Sequence, residues 1–496
     1  MRNWHYIRLF EEGKTQPSDE EILALTNTIK SVQDNTKNNI PAGYTYFGQF
    51  ISHDLTFLGS GVREPGAGPV KIEDLSLRRN PTLNLDSIYG GGLDDSQIPF
   101  DQTTGKFILG TDESGKENDL PREDSGRARI ADPRNDENLL IAQMQLLFMK
   151  LHNRLVGIFQ KRGERDARLL YERTRDEVIR IFQYLVLHDF AKRILPADYT
   201  TRDGRHFESV YDVIIKQGQG QLMPRDPNKL AMSLELAGAA LRFGHSMVDT
   251  QYDLNFENGI DGDRKRVLLE EVFRNTGTNI NHMNPLKTDL KVDWRFFFRF
   301  SNYPYAETVH PNLARKIDLS VNFHMFKIPG ANAAPDSHPT PEHVDIVKRN
   351  IQRGREFGLK SGQEICAILQ ERYEGAAQRI GLETLNSDLA FFDDLKSAGA
   401  EAMALNTPLW VYVLLEADIQ QDSRLGKLGG WLVADGLLAA AQMSETHIPD
   451  DWSIETLILG EAEYKKEWRS EHDPVDMADI VAFIEPELVN KEVLRF

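Results

Sequence analysis

Apolar residues recur at three-and-four spacing along most of this chain, the pattern of helices that bury one face. Positions 139–159 place Leu, Ile, Met and Phe on that period, and 167–194 repeat it. The same spacing predicts helices over 229–248, 341–352, 362–380 and 408–417. Alternating strand patterns are few and short, as at 106–109. The expected fold is therefore mainly α, with a few short peripheral strands.

Long loops separate these segments. Positions 59–69 are rich in Gly and Pro, 110–127 are polar and charged, and 327–340 hold three Pro among small residues. Loops of this size are uncommon unless they line a site or lie disordered. No shift in composition divides the chain and no internal repeat is visible. The 496 residues read as one large catalytic-type domain, 41–496, behind an N-terminal arm spanning 1–40.

Charge narrows the partners. A formal net charge of −18 repels phosphate backbones and anionic lipid, so nucleic acid is not an expected partner. The apolar stretches at 409–415 and 431–443 are too short or too interrupted to span a bilayer. Acidic residues at Glu11 and Glu12 precede any apolar run, so a signal peptide is not expected. The lone Cys366 permits no intrachain disulfide, and a reducing cytoplasm is the expected location.

Standard short motifs fail. Gly244-His245-Ser246-Met247-Val248 lacks the closing Gly of a nucleophile elbow. The run from Asp253 has Asn258 where a calcium-binding EF loop needs Gly. Gly90-Gly91-Gly92 opens no helix, and no His pair falls at i, i+4.

Three histidines stand in informative contexts. In Gly48-Gln49-Phe50-Ile51-Ser52-His53-Asp54, a helix would put Gln49 and His53 on one face, where an imidazole beside an amide could relay protons. In Leu241-Arg242-Phe243-Gly244-His245, the imidazole could ligate a cofactor iron while Arg242 holds an acid group of the same cofactor. His152, inside the long apolar segment from 139, reads as structural. A hydrogen-bonded core histidine is the plainer reading of each segment alone.

Together the segments resemble the animal-type haem peroxidase superfamily, the myeloperoxidase, peroxidasin and cyclooxygenase group, and in particular its bacterial members. Gly48-Gln49 with His53-Asp54 is similar to the distal segment. Ala131-Asp132-Pro133-Arg134-Asn135-Asp136-Glu137, followed by His152-Asn153-Arg154-Leu155, is similar to the distal arginine region. Leu241 to His245 resembles the proximal segment, and Arg349-Asn350-Ile351-Gln352-Arg353-Gly354-Arg355 the motif carrying its partner. Pro408-Leu409-Trp410 and the run from Leu425 to Gly430 also fit, and the matches keep family order from about residue 40 to 445.

The resemblance implies a helical haem peroxidase fold binding haem b. His245 would be the iron ligand, with Asn350 accepting from its other nitrogen, and Arg242 and Arg353 would pair with the propionates. His53 would move the peroxide proton, Arg134 would stabilise developing charge, and Gln49 would hold a water or small anion. H2O2 would be reduced while small organic donors or halides are oxidised. A structural Ca2+ would take Asp54 with Asn80, Thr82, Asn84 and Asp86, whose alternating oxygens suit a hard cation.

Departures from the family pattern matter. Ser52 replaces one ester-forming Asp, which leaves at most one covalent haem link, through Glu137. Asn138 stands where the most oxidising relatives carry a sulfonium-forming Met, so strong chloride oxidation is not expected. Two readings stay open beside peroxidase. A fatty-acid dioxygenase needs a Tyr near the iron, yet 293–300 offers Phe, with Tyr303 and Tyr305 nearby. A haem-binding protein without catalysis would need neither His53 nor Arg134.

Overall fold

The computed structural model describes residues 4–489 except 33, 58–69, 198–219, 227, 257–262, 277–284, 302, 304–308, 330–342, 387–388, 421–422 and 455–474. The loop at 59–69, most of the one at 327–340, Asn258 and Tyr305 lie outside the described residues.

Helices dominate. Among those that frame the site are α1 (Asp19–Ser31), α2 (Gly43–Leu55), α3 (Asp86–Tyr89), α4 (Leu139–Lys161), α5 (Ala167–Tyr184) and α6 (Ala191–Ile194). They continue with α7 (Leu234–Gly238), α8 (Ile346–Glu356), α9 (Leu409–Gln420), α10 (Lys427–Gln442) and α11 (Met477–Ile484). The strands are short: β1 (His5–Ile7), β2 (Lys37–Pro41), β3 (Ala231–Ser233), β4 (Gln251–Phe256), β5 (Arg264–Leu268), β6 (Leu313–Arg315), β7 (Ile328–Pro329) and β8 (His343–Val344). They pair two by two, β1–β3 parallel and β2–β6, β4–β5 and β7–β8 antiparallel. A helical body with peripheral ladders matches the pattern read from the sequence.

Local chemistry sets the boundaries. Asn138 caps α4 by accepting from Ile141 N at 3.0 Å, and Asp166 caps α5 by accepting from Leu169 N at 2.9 Å. The period at 167–194 is helical throughout but not uniformly α. After Tyr184 the chain widens into a π-helical turn, Leu185–Phe190, before α6. The helix predicted over 341–352 starts at Ile346, where Asp345 accepts from Lys348 N and His343–Val344 pair with β7. The segment 362–380 breaks at Tyr373, whose φ of −128° leaves the helical region.

The predicted helix over 229–248 is not one helix. The chain forms β3, then α7 from the Ser233 cap, and then a 3-10 helix, Ala240–His245. Ala239, at φ −136° and ψ −66°, separates the two helical pieces. Apolar spacing shows which residues are buried, but it does not report such a break.

Helix α2 is held by aromatic packing. Phe47 and Phe50 stand four and one positions ahead of Ile51 on its buried face. Phe47 contacts Phe148, Phe182 and Phe190 at ring centroids of 6.2, 6.0 and 5.9 Å, and Phe50 contacts Phe148 at 5.0 Å and Phe182 at 5.9 Å. Each such pair contributes about 0.5–1.5 kcal/mol beyond its burial. The opposite face of α2 then points its polar residues at an interior cavity.

Entry into α2 demands a residue without a side chain. Gly43 N donates to Phe297 O at 2.9 Å, and a Cβ at Gly43 would stand 2.4 Å from that oxygen. Gly43→Ala is therefore expected to cost roughly 1–3 kcal/mol by overpacking, read as a lower denaturant midpoint. An unchanged midpoint would contradict this account of the α2 entry.

Candidate active site

A cavity of about 310 Å3 lies at the centre of the helical body. Its wall gathers residues from four separate stretches of sequence: Gln49, Ser52 and His53 from α2, Arg134, Glu137 and Asn138 from the 131–138 stretch, Arg242 and His245 from the 3-10 helix, and Arg349, Asn350 and Arg353 from α8. Eight of these were singled out from sequence as site residues, and they meet in one place.

On one side stands His53, 7 % exposed. Its Nδ1 lies 2.8 Å from Asn135 Oδ1, and Asn135 Nδ2 donates to Gln145 Oε1 at 2.8 Å. In this arrangement Nδ1 carries the ring proton and Nε2 keeps its lone pair. Burial, and then the Arg134 guanidinium, push the imidazole down to about 3, so it is neutral at physiological pH. Glu137 Oε1 lies 3.6 Å from Nε2 and accepts from Gln49 Nε2 at 2.5 Å. Burial raises the Glu137 carboxyl to about 7. Asn138, the cap of α4, also donates to Gln49 Oε1 at 3.3 Å.

Arg134 sits beside His53 on a short 3-10 turn, Pro133–Asp136, that begins with Pro in the first helical position. Its guanidinium donates to His53 O at 2.8 Å and to both oxygens of Asp132, and stacks 4.4 Å over Phe57. Asp132 is fully buried and also accepts from Arg79 at 2.7 Å. Despite that burial, the two guanidinium groups, Arg134 foremost, hold its carboxyl well below the usual range. Sequence reading gave no role to Asp132, Asn135 or Arg79. The i, i+2 spacing of Asp132 and Arg134 was a visible signal for the first, whereas the other two act across contacts remote in sequence.

The opposite side carries His245. The 3-10 geometry has three residues per turn, so Arg242 and His245 line up on one side. His245 Nδ1 lies 2.8 Å from Asn350 Nδ2. The sequence reading expected this amide to accept. With Nδ2 facing the ring the amide donates to an unprotonated Nδ1, and a half-turn of the amide reverses the polarity. Burial and the neighbouring guanidinium groups push His245 down to about 3, again a neutral ring.

Arg242, Arg349 and Arg353 crowd the same wall, and none has a carboxylate ion pair among the described residues. Burial, then Arg353 and Arg349, press the Arg242 guanidinium far below its ordinary range, and burial with Arg349 lowers Arg353 to about 10. Partly buried cations held together without an ion-pair partner lower stability. A cavity with this wall fits a ligand that brings acid groups to the arginines and offers a metal to a neutral imidazole. Arg353, a residue that could have been a solvated charge, is on the wall.

The residues expected to hold calcium lie behind His53. Asp54 is fully buried and accepts from Leu85 N at 3.0 Å, Ser87 N at 3.3 Å and Ser87 Oγ at 2.8 Å. Asp86 Oδ2 accepts from Asn80 N at 3.1 Å, Asn84 Oδ1 accepts from Asp86 N at 3.2 Å, and Thr82 Oγ1 donates to Asn80 Oδ1 at 3.0 Å. Asp86 Oδ1 is buried without a hydrogen-bond partner, although Arg79 Nη1 approaches it to 3.6 Å. Burial raises Asp54 to about 6 and Asp86 to about 7, and the Asp54 charge adds to the effect on Asp86. Among the described residues no cluster of three or more His, Cys, Asp or Glu side chains forms a metal site, so any cation here would rely on neutral oxygens as well.

Two other sequence readings meet the structure here. His152 is fully buried, with its ring nitrogens 3.1 Å from Tyr89 Oη and 2.9 Å from Gly105 O, a structural role. The Phe-rich stretch at 293–300 puts Phe296, Phe297 and Phe298 in the core, and Tyr303 bonds Asp479. Among the described residues the tyrosines that line the cavity are Tyr44 and Tyr46, both from α2.

Comparison with known proteins agrees with this geometry. Residues 82–372 match the animal haem peroxidase family model. The chain is 24 % identical over 254 residues to chorion peroxidase of Drosophila melanogaster, covering 50 % of this chain and 27 % of that protein. It is 25 % identical over 240 residues to heme peroxidase 2 of Caenorhabditis elegans, covering 46 % and 28 %. The alignments thus span about a quarter of these curated relatives. Among solved structures, peroxidase A from Dictyostelium discoideum superposes with a TM-score of 0.62 at 14 % identity, over 98 % of this chain and 94 % of that one. Oryza sativa fatty acid alpha-dioxygenase superposes with a TM-score of 0.61 at 13 % identity, over 96 % and 80 %. No described helix is long and apolar enough to cross a membrane. The family implies haem binding and oxidoreductase chemistry, and this chain, with its helical body and two-histidine cavity, belongs to the animal haem peroxidase family.

Proposed function

We propose that the protein is a peroxidase that reduces H2O2 to water with haem b and oxidises small organic donors or halides by one or two electrons. The observation that carries this reading is the pair of neutral imidazoles, His53 and His245, on one cavity whose wall also holds Arg134. When bound, the haem supplies the two electrons that split the O–O bond and stores the oxidising equivalents.

His245 would hold the iron through Nε2, which requires the proton on Nδ1 and Asn350 turned to accept it. Arg242 and Arg353, with Arg349 beside them, would take the propionates, which relieves the crowded positive charge. His53 Nε2 would accept one proton of H2O2 and return it to the departing oxygen, which leaves as water. Arg134, fixed by Asp132, stabilises negative charge as that bond breaks. Gln49 would orient water beside His53 and donates to Glu137, the carboxyl that would form a single ester link to haem. Ser52 on the same wall cannot form such a bond, and Asn138 as a helix cap offers no sulfonium chemistry. The absence of a phenol from 293–300 on the cavity wall favours peroxidase over a fatty-acid dioxygenase, and the paired His53 and Arg134 argue against a haem-binding protein without catalysis.

A Ca2+ ion between Asp54 and Asp86, completed by Asn80, Thr82 and Asn84, would engage the unpartnered Asp86 oxygen and relieve repulsion between the two carboxylates. With only two carboxylates, and Arg79 close by, its affinity would be modest.

The haem-loaded protein is expected to change its Soret spectrum on adding H2O2 and to oxidise guaiacol or bromide only when peroxide is present. Oxygen uptake with linoleate would favour the dioxygenase, and a Soret band with neither reaction would leave a binding protein. His245→Ala should bring haem content, measured as pyridine haemochrome, close to background. His53→Ala should retain haem and slow the first peroxide step roughly 10²–10⁴-fold in stopped flow. EDTA should lower the melting temperature of wild type, with recovery on Ca2+ addition, and should leave Asp54→Asn unmoved; equal responses would refute the calcium site.

A further inference from the structure

Tyr44 is fully buried in α2 and is one of the residues that line the cavity. Its hydroxyl donates to Asp189 Oδ2 at 2.7 Å. That carboxylate is itself positioned, since Oδ1 accepts from Arg193 Nε at 2.7 Å and Oδ2 accepts from Met477 N at 2.9 Å. The Arg193 guanidinium lies 4.4 Å over the Tyr44 ring and reaches Asp476 at 3.4 Å. Arg193 and Asp476 are partly exposed, so the chain of charged groups runs from the cavity wall to solvent.

The backbone beneath this network is unusual. Asp189 and Phe190 end the π-helical turn Leu185–Phe190, and the wider turn lets consecutive residues serve two purposes. Phe190 lines the cavity and packs on Phe47, while Asp189 meets Tyr44. Regular α geometry through 190 would shift one of the two. Tyr46, also among the lining residues, is buried against Tyr252, with ring centroids 5.7 Å apart.

We infer that Tyr44 is a redox-active tyrosine, an internal one-electron donor whose phenolic proton passes to Asp189 as the electron leaves. The inference rests on the peroxidase reading, because H2O2, acting through the bound haem, is the oxidant. The balance is closed. The Tyr44 O–H bond breaks, one electron fills one of the two oxidising equivalents left by peroxide, and the proton forms an O–H bond on Asp189 Oδ2. A neutral phenoxyl radical remains at the wall. A phenolic donor reaching the cavity then returns a hydrogen atom to Tyr44, and Asp189 gives up its proton to solvent.

The requirement for a base is electrostatic. Burial keeps Tyr44 a neutral phenol, with its acidity far weaker than that of free tyrosine. The guanidinium over the ring opposes net positive charge there. Electron and proton must therefore leave together, and Asp189 is the acceptor within hydrogen-bond distance.

The test is freeze-quench EPR of the haem-loaded full chain mixed with H2O2, with the Soret spectrum followed in parallel. Wild type is expected to give a tyrosyl signal, Tyr46→Phe to keep it, and Tyr44→Phe to lose it while the Soret change persists. Asp189→Asn should cut the yield of the signal several-fold, because an amide cannot take the phenolic proton. Position-specific 3,5-difluorotyrosine at 44 should add fluorine splitting, and this holds even where Tyr44→Phe folds poorly. An unsplit signal, or a Soret change with no tyrosyl signal, overturns the inference alone. No Soret change in wild type overturns it together with the peroxidase reading.

Discussion

The aromatic clamp around α2 is the contact on which the site depends. Phe47 and Phe50 interlock with Phe148, Phe182 and Phe190, which come from α4, α5 and the π-helical turn. Rings packed at these angles tolerate little rotation of the helix about its axis. The clamp therefore decides which way Gln49 and His53 face, and it sets them toward the 131–138 stretch rather than into the core. Phe190 serves the clamp and the cavity together, which ties the irregular turn to both.

Within that frame the cavity is electrostatically unfinished. Two imidazoles are kept neutral by burial, and three guanidinium groups face one another without an ion pair among the described residues. Such an arrangement lowers the stability of the empty protein, and any ligand that binds only the folded state recovers it by mass action. The buried pair Asp54 and Asp86 repeats this logic with the opposite sign. Arg134 differs from the cavity arginines because Asp132 meets its charge fully and fixes its direction.

Much of this was legible in the sequence because short motifs carry their own geometry. Gln49 and His53 four apart on a helix, Arg242 and His245 three apart, and Asn350 with Arg353 on α8 fixed local facing before any tertiary contact was known. The reading failed where burial and backbone path separate, as in 229–248, since apolar period reports which residues leave water and not whether the chain stays helical.

Contacts remote in sequence escaped the reading for a different reason. Asn135 meets His53 across 82 residues, and Tyr44 meets Asp189 across 145. Neither partner has a spacing that marks it, because a single hydrogen bond between distant segments leaves no periodic trace. The amino-acid order alone determined the helical class, the family of the chain and the identity of the two histidines, since these follow from local periodicity and motif order. Only the folded chain decided that Asp132 would anchor Arg134, that three arginines would share one wall and that a phenol would face a carboxylate there, because those relations are made by packing between segments whose meeting no local rule dictates.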